Sequence, residues 1–397
     1  MVSVMAGPMF ETQAWRQVHQ GGPMMRRILF VAEGSGGHLI PALEVSQALA
    51  AEGASVMLLY ARRPQIASLM QELIHDVDAD HVHVRPFSLS PCPIPAIRGL
   101  WRLRQAGAVW REAREHLSAF QPHVVVGFGG WLSVPVILAA QREEIPVLIH
   151  EQNVRLGRAN RFLLNWADQI ALSFEETRAE MDDAPTVVSG LPIRRTIGTA
   201  SREAAARQFG LEASAPTVLV LGGSQGSGVL NQLMCGMLPR LSSKDREAWQ
   251  FLHLTGIQDE EKVAQAYAGL QLRARVAAHL AEMASAYALA DVVIARAGAS
   301  TIAELAQCGT PAIVIPYPHA SGHQRANARL LESAGAGVVV DERTATSERL
   351  LGVLQQLLQD ERLRRMMSAQ MHTLAQPDAT QRLARAILTL AATRDWN

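Results

Sequence analysis

The chain has few lysines, aromatics and cysteines, and no excess of charge of either sign. Its 397 residues include only two lysines, Lys244 and Lys262, so no Gly-Lys-Ser/Thr occurs and a Walker-type phosphate loop is excluded. Three cysteines, Cys92, Cys235 and Cys308, stand far apart without metal-ligand spacing, which excludes a disulfide framework or a zinc site and points to a reducing compartment, the cytoplasm fitting best. Lys+Arg and Asp+Glu are equal at 37 each, so the global positive field that non-specific nucleic-acid binding needs is missing. Any anionic partner, nucleic acid not among them, must meet a local patch. Aromatics make up 5% but hydrophobic residues 48%, with no low-complexity tract, so the bulk of the chain is expected to fold around large cores.

A long apolar run is also lacking. Residues up to about Pro23 carry two charges and several glutamines where a signal peptide would be apolar, so residues 1–25 are expected as a loose N-terminal extension, with Met24 or Met25 the expected start. The longest uncharged stretch, Val124 to Gln141, is broken by Gly127, Gly129, Gly130, Ser133 and Pro135. It predicts strand, loop and helix, not a membrane span.

What is there is an alternation of short apolar runs and helix-length segments. Ile28 to Ala32 leads through Gly34-Ser35-Gly36-Gly37 into a helical period from Pro41 to Ala51, a βα unit. Further strands are expected at Ser55 to Tyr60, Val82 to Phe87, His123 to Gly127, Pro146 to His150, Gln169 to Leu172 and Thr186 to Val188. After a polar, Ala-rich stretch from Gly198 to Pro216 the programme restarts: Thr217 to Leu221, the turn Gly222-Gly223-Ser224-Gln225-Gly226, and a helix from about Gly228. Asp291 to Ala295 and Ala312 to Pro316 are two more buried-type strands. The fold class is therefore α/β, in two doubly wound halves, with ligands expected beyond the carboxyl ends of strands in the cleft between them.

Three strand-to-helix turns are candidate anion sites, because small residues admit a ligand and free helix amides point at it. They are Gly34-Ser35-Gly36-Gly37-His38, Gly222 to Gly226, and Arg296-Ala297-Gly298-Ala299-Ser300-Thr301, which opens a helix bearing Glu304. Each could equally be a plain tight turn. Leu39 occupies the third-glycine position of a dinucleotide fingerprint, which removes that reading for the first. His38 is the first candidate for a base; Glu304 serves either the helix dipole or a ribose diol. The Asp76-Val77-Asp78-Ala79-Asp80 run has the look of a metal-binding Asp-x-Asp but lacks a nucleotide loop, and is read as a solvated turn.

Between Arg85 and Glu115 six arginines face two acids, interleaved with Ile94, Ile97, Leu100, Trp101, Leu103, Val109 and Trp110. That composition suits a surface dipping into anionic headgroups, at about 1 kcal/mol per basic side chain. The alternative is an ordinary amphipathic helix with a core face, against which Pro91, Pro93 and Pro95 forbid one continuous helix.

Together with Gly127-Phe128-Gly129-Gly130-Trp131-Leu132-Ser133, His150-Glu151-Gln152-Asn153, Leu230-Asn231, and His323-Gln324 with Asn327-Ala328, these segments resemble the MurG family in order and spacing from about Arg27 to Leu390. That family adds N-acetylglucosamine to the lipid-linked muramyl-pentapeptide precursor of peptidoglycan. The resemblance implies two Rossmann-like domains of the GT-B type facing across a cleft. Residues 26–195 would form the acceptor-binding, membrane-associating domain and 196–373 the domain holding UDP-N-acetylglucosamine, with 374–397 a C-terminal helix returning to the first. It implies a peripheral enzyme on the cytoplasmic face of the inner membrane, with no cofactor and no metal.

Carried over by position, the resemblance puts Ser35, Gly36 and Gly37 opposite the donor, with Asn153 near its sugar. Arg194 and Ser224 would meet the diphosphate, and Leu280 would present its backbone to uracil. Ala299, Ser300, Thr301, Ile302 and Ala303 would line sugar and phosphate, Glu304 would hold the ribose, and Gln324 would read sugar hydroxyls. Ile97, Leu100, Trp101, Arg102, Arg104, Trp110 and Arg111 fall on the family's membrane patch. Glu33 and Ser35 stand where the family usually has glycine and threonine, and Gly190-Leu191-Pro192 replaces a common Gly-Asn-Pro. The expected reaction is an inverting transfer to the acceptor's sugar hydroxyl, with His38 as base and Glu151 as second choice. A transferase acting on another lipid, such as diacylglycerol, and a UDP-N-acetylglucosamine epimerase are the rival expectations.

Overall fold

A computed structural model describes residues 25–61, 74, 77–87, 98–181, 184–223, 226–280, 282–320 and 322–394, without the side chains of 98–103. Two parallel sheets organise them. The first has seven strands, β1 (Arg27–Ala32), β2 (Ser55–Ala61), β3 (Val82–Phe87), β4 (Val124–Gly127), β5 (Val147–Glu151), β6 (Gln169–Leu172) and β7 (Thr186–Val188), in the order β3-β2-β1-β4-β5-β6-β7. The second has six, β8 (Thr217–Leu221), β9 (Gln250–Leu254), β10 (Arg273–Ala277), β11 (Val292–Ala295), β12 (Ala312–Val314) and β13 (Gly337–Val339), in the order β10-β9-β8-β11-β12-β13.

Helices cover both faces, so central strands bury nearly every side chain, Arg27 at the start of β1 being half-buried. In β1, Ile28, Phe30 and Ala32 enter one core while Leu29 and Val31 enter the core on the opposite face. The first core lies under helix α1 (Gly36–Ala51) and the C-terminal helix, here α7 (Ala379–Ala391), which contributes Leu383, Ala384, Ala386 and Ile387. The opposite core lies under α2 (Arg98–Phe120) and α3 (Ser133–Arg142). The other helices that shape the site are α4 (Gly228–Met237), α5 (Ala299–Cys308) and α6 (His323–Ser333), all in the second lobe.

Strand order reverses between β1 and β4 in one sheet and between β8 and β11 in the other. At these switch points the loops leaving the carboxyl ends of adjacent strands run in opposite directions and open a crevice. The glycine segments 34–37, 127–130, 222–223 and 296–298 lie in those four loops. Chain crosses between the lobes on either side of Gly190, whose φ of +83° only glycine adopts freely, and again near Gln376. The crossings lie side by side, since a Cβ on Gly190 would come 2.7 Å from Gln376 Oε1 and 2.9 Å from Ala379 Cβ.

Two expectations are corrected here. Helix α1 begins at Gly36, not Pro41: the proline sits inside the helix and leaves the Gly37 carbonyl without its i+4 amide. Strands β9, β10 and β13 had no counterpart in the apolar runs. β9 buries Gln250 and His253, which read as loop residues, and β10 alternates Arg273 and Arg275 along a sheet edge. The Val124–Gln141 stretch divides into β4, a glycine turn and α3. No helix among the described residues is long and apolar enough to cross a membrane.

Candidate active site

The first lobe's glycine turn faces the start of α5 across the cleft. A Cβ on Gly37 would stand 4.0 Å from Ser300 Oγ, and that hydroxyl is buried without a hydrogen-bond partner. Helix α5 starts at Gly298 with no side-chain cap, so the amides of Ala299, Ser300 and Thr301 are open to a ligand. Helix α1 is also uncapped, because Ser35 turns its hydroxyl to His38 Nδ1 at 2.7 Å. An anion between these ends would satisfy donors that otherwise cost stability, about 1–3 kcal/mol for a buried unpaired hydroxyl.

Helix α4 is built differently. Ser227 caps it, accepting from Leu230 N at 3.4 Å, and receives Arg296 Nη2 at 2.8 Å. Arg296 also donates to the Ile315 carbonyl at 3.0 Å and pairs with Glu342. This buried guanidinium thereby ties the start of α4 to the loop that opens α5. Ser224, expected at the diphosphate, lies outside the described residues. Gly226 is required where it is: φ is +75° and a Cβ would come 2.2 Å from the Thr255 carbonyl oxygen.

His38 lies under the Gly129–Gly130 turn, where a Cβ on Gly129 would come 3.3 Å from its Nε2. Glu33, the departure from the family pattern, has a local role: its Oε2 accepts from Trp131 N at 3.1 Å and binds this turn to the end of β1.

Glu151 ends β5 and is 1% exposed. Its Oε1 accepts from Asn153 N at 3.0 Å and Nδ2 at 3.2 Å, and its Oε2 accepts from Gly157 N and Asn160 Nδ2, both at 2.8 Å. Four donors thus occupy the lone pairs of the carboxylate expected as a second base, an arrangement that supports the loop 153–160. His150 is wholly buried, and burial pushes it down to about 4; its Nδ1 accepts from Gln152 Nε2 and its Nε2 donates to the Gly190 carbonyl.

Asn153, expected near the sugar, hydrogen-bonds across the cleft. Its Oδ1 accepts from Asn327 Nδ2 at 3.1 Å, while Asn327 Oδ1 accepts from Val154 N at 3.0 Å and the same Nδ2 reaches the Ala297 carbonyl. Asn327 is wholly buried at this clasp, a role its sequence motif did not disclose. One turn earlier on α6, Gln324 has its Oε1 fixed by Tyr317 N at 2.8 Å.

Glu304 is the sixth residue of α5, beyond the reach of the helix dipole's first turn, and 6% exposed. Burial raises its pKa, while the Arg194 charge and a hydrogen bond from Tyr287 pull the other way. Ile302 is core, Ala299 nearly so, and Ser300, Thr301 and Ala303 are half-buried on the cleft side. Leu280 is half-buried, packed against the core just before the helix Met283–Leu289.

The membrane-patch residues divide. Ile97 lies outside the described residues, as do the side chains of Leu100, Trp101 and Arg102. Arg104 and Arg111 are exposed one heptad apart on α2. Trp110 is half-buried against the core formed by Val109, Ala113 and Leu117, with the Arg114 guanidinium 5.1 Å over its ring. In its C-terminal half α2 is thus an amphipathic helix with a core face. Asp78 accepts from Asp80 N and His81, the solvated turn expected of that acidic run.

Residues 28–172 match the N-terminal domain of glycosyltransferase family 28 and residues 217–383 its C-terminal domain. The chain is similar to the UDP-N-acetylglucosamine--N-acetylmuramyl-(pentapeptide) pyrophosphoryl-undecaprenol N-acetylglucosamine transferase of Halothermothrix orenii, 34% identical over 351 residues that cover 86% of this chain and 92% of that protein. The chain belongs to the MurG family. Among solved structures, MurG of Acinetobacter baumannii superposes with a TM-score of 0.71 at 27% identity, covering 92% of this chain and 99% of that one. A UDP-N-acetylglucosamine 2-epimerase shares the fold at 13% identity and a TM-score of 0.65, over 93% of this chain and 98% of that chain, a likeness of fold alone. The MurG assignment makes the chain a glycosyltransferase of GT-B architecture.

Proposed function

We propose that this chain transfers N-acetylglucosamine from UDP-N-acetylglucosamine to the C4 hydroxyl of undecaprenyl-diphosphate-linked N-acetylmuramyl-pentapeptide, at the cytoplasmic face of the inner membrane. The observation that carries the reading is the meeting of two uncapped helix ends across the cleft, with the unpartnered Ser300 hydroxyl between α5 and Gly37.

In this reading the second lobe holds the donor. The diphosphate lies at the starts of α4 and α5, with Ser224 and Arg194 beside it; Glu304 accepts from the ribose, Leu280 offers its backbone to uracil, and Gln324 meets the sugar. The acceptor enters from the first lobe past the Gly129–Gly130 turn. Its hydroxyl oxygen attacks the anomeric carbon while the bond to the diphosphate oxygen breaks on the opposite face, UDP leaving with the electron pair. The hydroxyl proton passes to His38, an imidazole type whose ordinary pKa of about 6.5 suits neutral pH. Open helix amides and Arg194 receive the charge that builds on the leaving diphosphate.

The deciding experiment incubates labelled UDP-N-acetylglucosamine with the undecaprenyl-linked muramyl-pentapeptide and a metal chelator. A labelled disaccharide lipid is expected, and His38→Ala is expected to lose turnover by 10²–10⁴-fold while still binding UDP. Conversion of the nucleotide sugar without any lipid would overturn the reading in favour of an epimerase.

A further inference from the structure

Glu304 does not meet the cleft alone. Tyr287, on the helix Met283–Leu289, is 2% exposed, and its phenol donates to Glu304 Oε2 at 2.8 Å. We propose that Tyr287 is a positioning residue for nucleoside recognition: its phenol holds one oxygen of Glu304 so that the remaining lone pairs meet the ribose diol. This rests on the reading of Glu304 as the ribose acceptor and adds the group that makes it directional.

A carboxylate on a helix can rotate about its last torsion, and a rotating acceptor discriminates poorly between a diol and water. The phenol removes that freedom. Burial and the neighbouring Glu304 charge hold Tyr287 well above its ordinary range, so it remains a donor at any working pH. Cys308, one turn further along α5, is pushed up to about 12 by burial and by the same carboxylate, so its thiol stays neutral too. Arg194, from the crossing between the lobes, is the cation whose field reaches both Glu304 and Tyr287. Glu304 is thus an ionisable acceptor with one fixed donor and one nearby positive charge, a geometry that suits two hydroxyl donors on a nucleoside and gives no advantage to a nucleoside without them. An apolar residue would fill the Tyr287 site equally well; only the hydroxyl orients the carboxylate.

The test is equilibrium binding by calorimetry of UDP and of 2′,3′-dideoxyuridine diphosphate to three proteins. The wild type should prefer UDP. Glu304→Ala should lose that preference altogether. Tyr287→Phe should weaken UDP roughly tenfold, as for one hydrogen bond to a charged group, while leaving the dideoxy nucleotide within about twofold, so that the preference collapses. A Tyr287→Phe protein that weakens both nucleotides equally, or neither, while Glu304→Ala loses the preference, overturns the role of Tyr287 and leaves Glu304 as the ribose acceptor. A Glu304→Ala protein that still prefers UDP overturns the ribose reading, and the inference with it. If Tyr287→Phe does not fold, wild-type protein labelled with 3-fluorotyrosine serves, because there are only four tyrosines to assign. The Tyr287 fluorine resonance should move with UDP and stay put with the dideoxy nucleotide; equal movement with both would overturn the proposal.

Discussion

Ser35 Oγ and His38 Nδ1 lie 2.7 Å apart, one helical turn from each other at the open end of α1. The pair has two arrangements with opposite consequences. If the hydroxyl donates, Nε2 carries the ring proton and cannot take another; if Nδ1–H donates to the hydroxyl, Nε2 holds the lone pair that a base needs. A base role for His38 therefore requires Ser35 to accept, with its own proton directed elsewhere in the cleft.

Removing the partner frees the tautomer. Ser35→Ala is expected to lower kcat about tenfold, with UDP affinity nearly unchanged, while Ser35→Thr, which keeps the hydroxyl, should stay within about threefold of wild type. Steady-state kinetics with calorimetry for UDP read both. Equal kcat for the alanine and threonine variants would show that the hydroxyl does not select the tautomer.

Glu151 should behave as a support and not as a base. Its carboxylate accepts from four donors around the 153–160 loop, so Glu151→Gln must leave at least one of them unmatched. The expected cost is about 2–4 kcal/mol in stability together with a fall in kcat. The pH profile of kcat/KM should keep its acidic limb in Glu151→Gln, whereas a variant lacking the base should lose it. A flattened limb in Glu151→Gln would return that residue to the chemistry.

The glycine turns were legible because they sit at the one place in a doubly wound sheet where a small residue, a strand end and a helix start must coincide. His38 and Glu304 stood out because each is a titratable group beside such a turn. The support around them was not legible. Asn153 and Asn327 are 174 residues apart, and nothing local in either segment shows that their amides meet. Tyr287 lies in an alanine-rich helix with no motif of its own, and its pairing with Glu304 depends on how two helices pack. Pro41 misled in the usual way, since a proline reads as a first helical residue although α1 carries it in the interior. Strand β9 was hidden by Gln250 and His253, whose polar atoms are satisfied only by tertiary partners such as Thr217, Asn231 and Tyr267.

Three buried histidines predict acid sensitivity, His123 and His150 in the first lobe and His253 in the second. Burial lowers His123 and His150 to about 4 and His253 to about 3. In the unfolded chain all three would take up a proton near pH 6.5, so between those limits the unfolded state binds more protons and stability rises with pH. Going from pH 7.5 to 5 should therefore cost about 2 kcal/mol per imidazole, read as a lower urea midpoint for each lobe. His150→Gln should roughly halve the pH dependence of the first lobe, with His123 supplying the rest, and an unchanged slope would remove His150 as a source.

The surface of α2 sets the last expectation. Arg104 and Arg111 are exposed on one stripe, whereas Trp110 is partly packed into the core beneath Arg114, so truncating the tryptophan would disturb folding as well as any membrane contact. The arginines offer the cleaner test. At about 1 kcal/mol for each basic side chain at an anionic leaflet, Arg104→Ala with Arg111→Ala should weaken binding to vesicles rich in anionic lipid by roughly thirtyfold. Binding should fall with added salt in the wild type and less steeply in the double variant, because fewer charges are screened. Turnover of a water-soluble acceptor analogue should be unaffected, since neither residue borders the cleft turns. If the double variant sediments with vesicles as well as the wild type, this stripe is a solvated helix face and not a membrane patch.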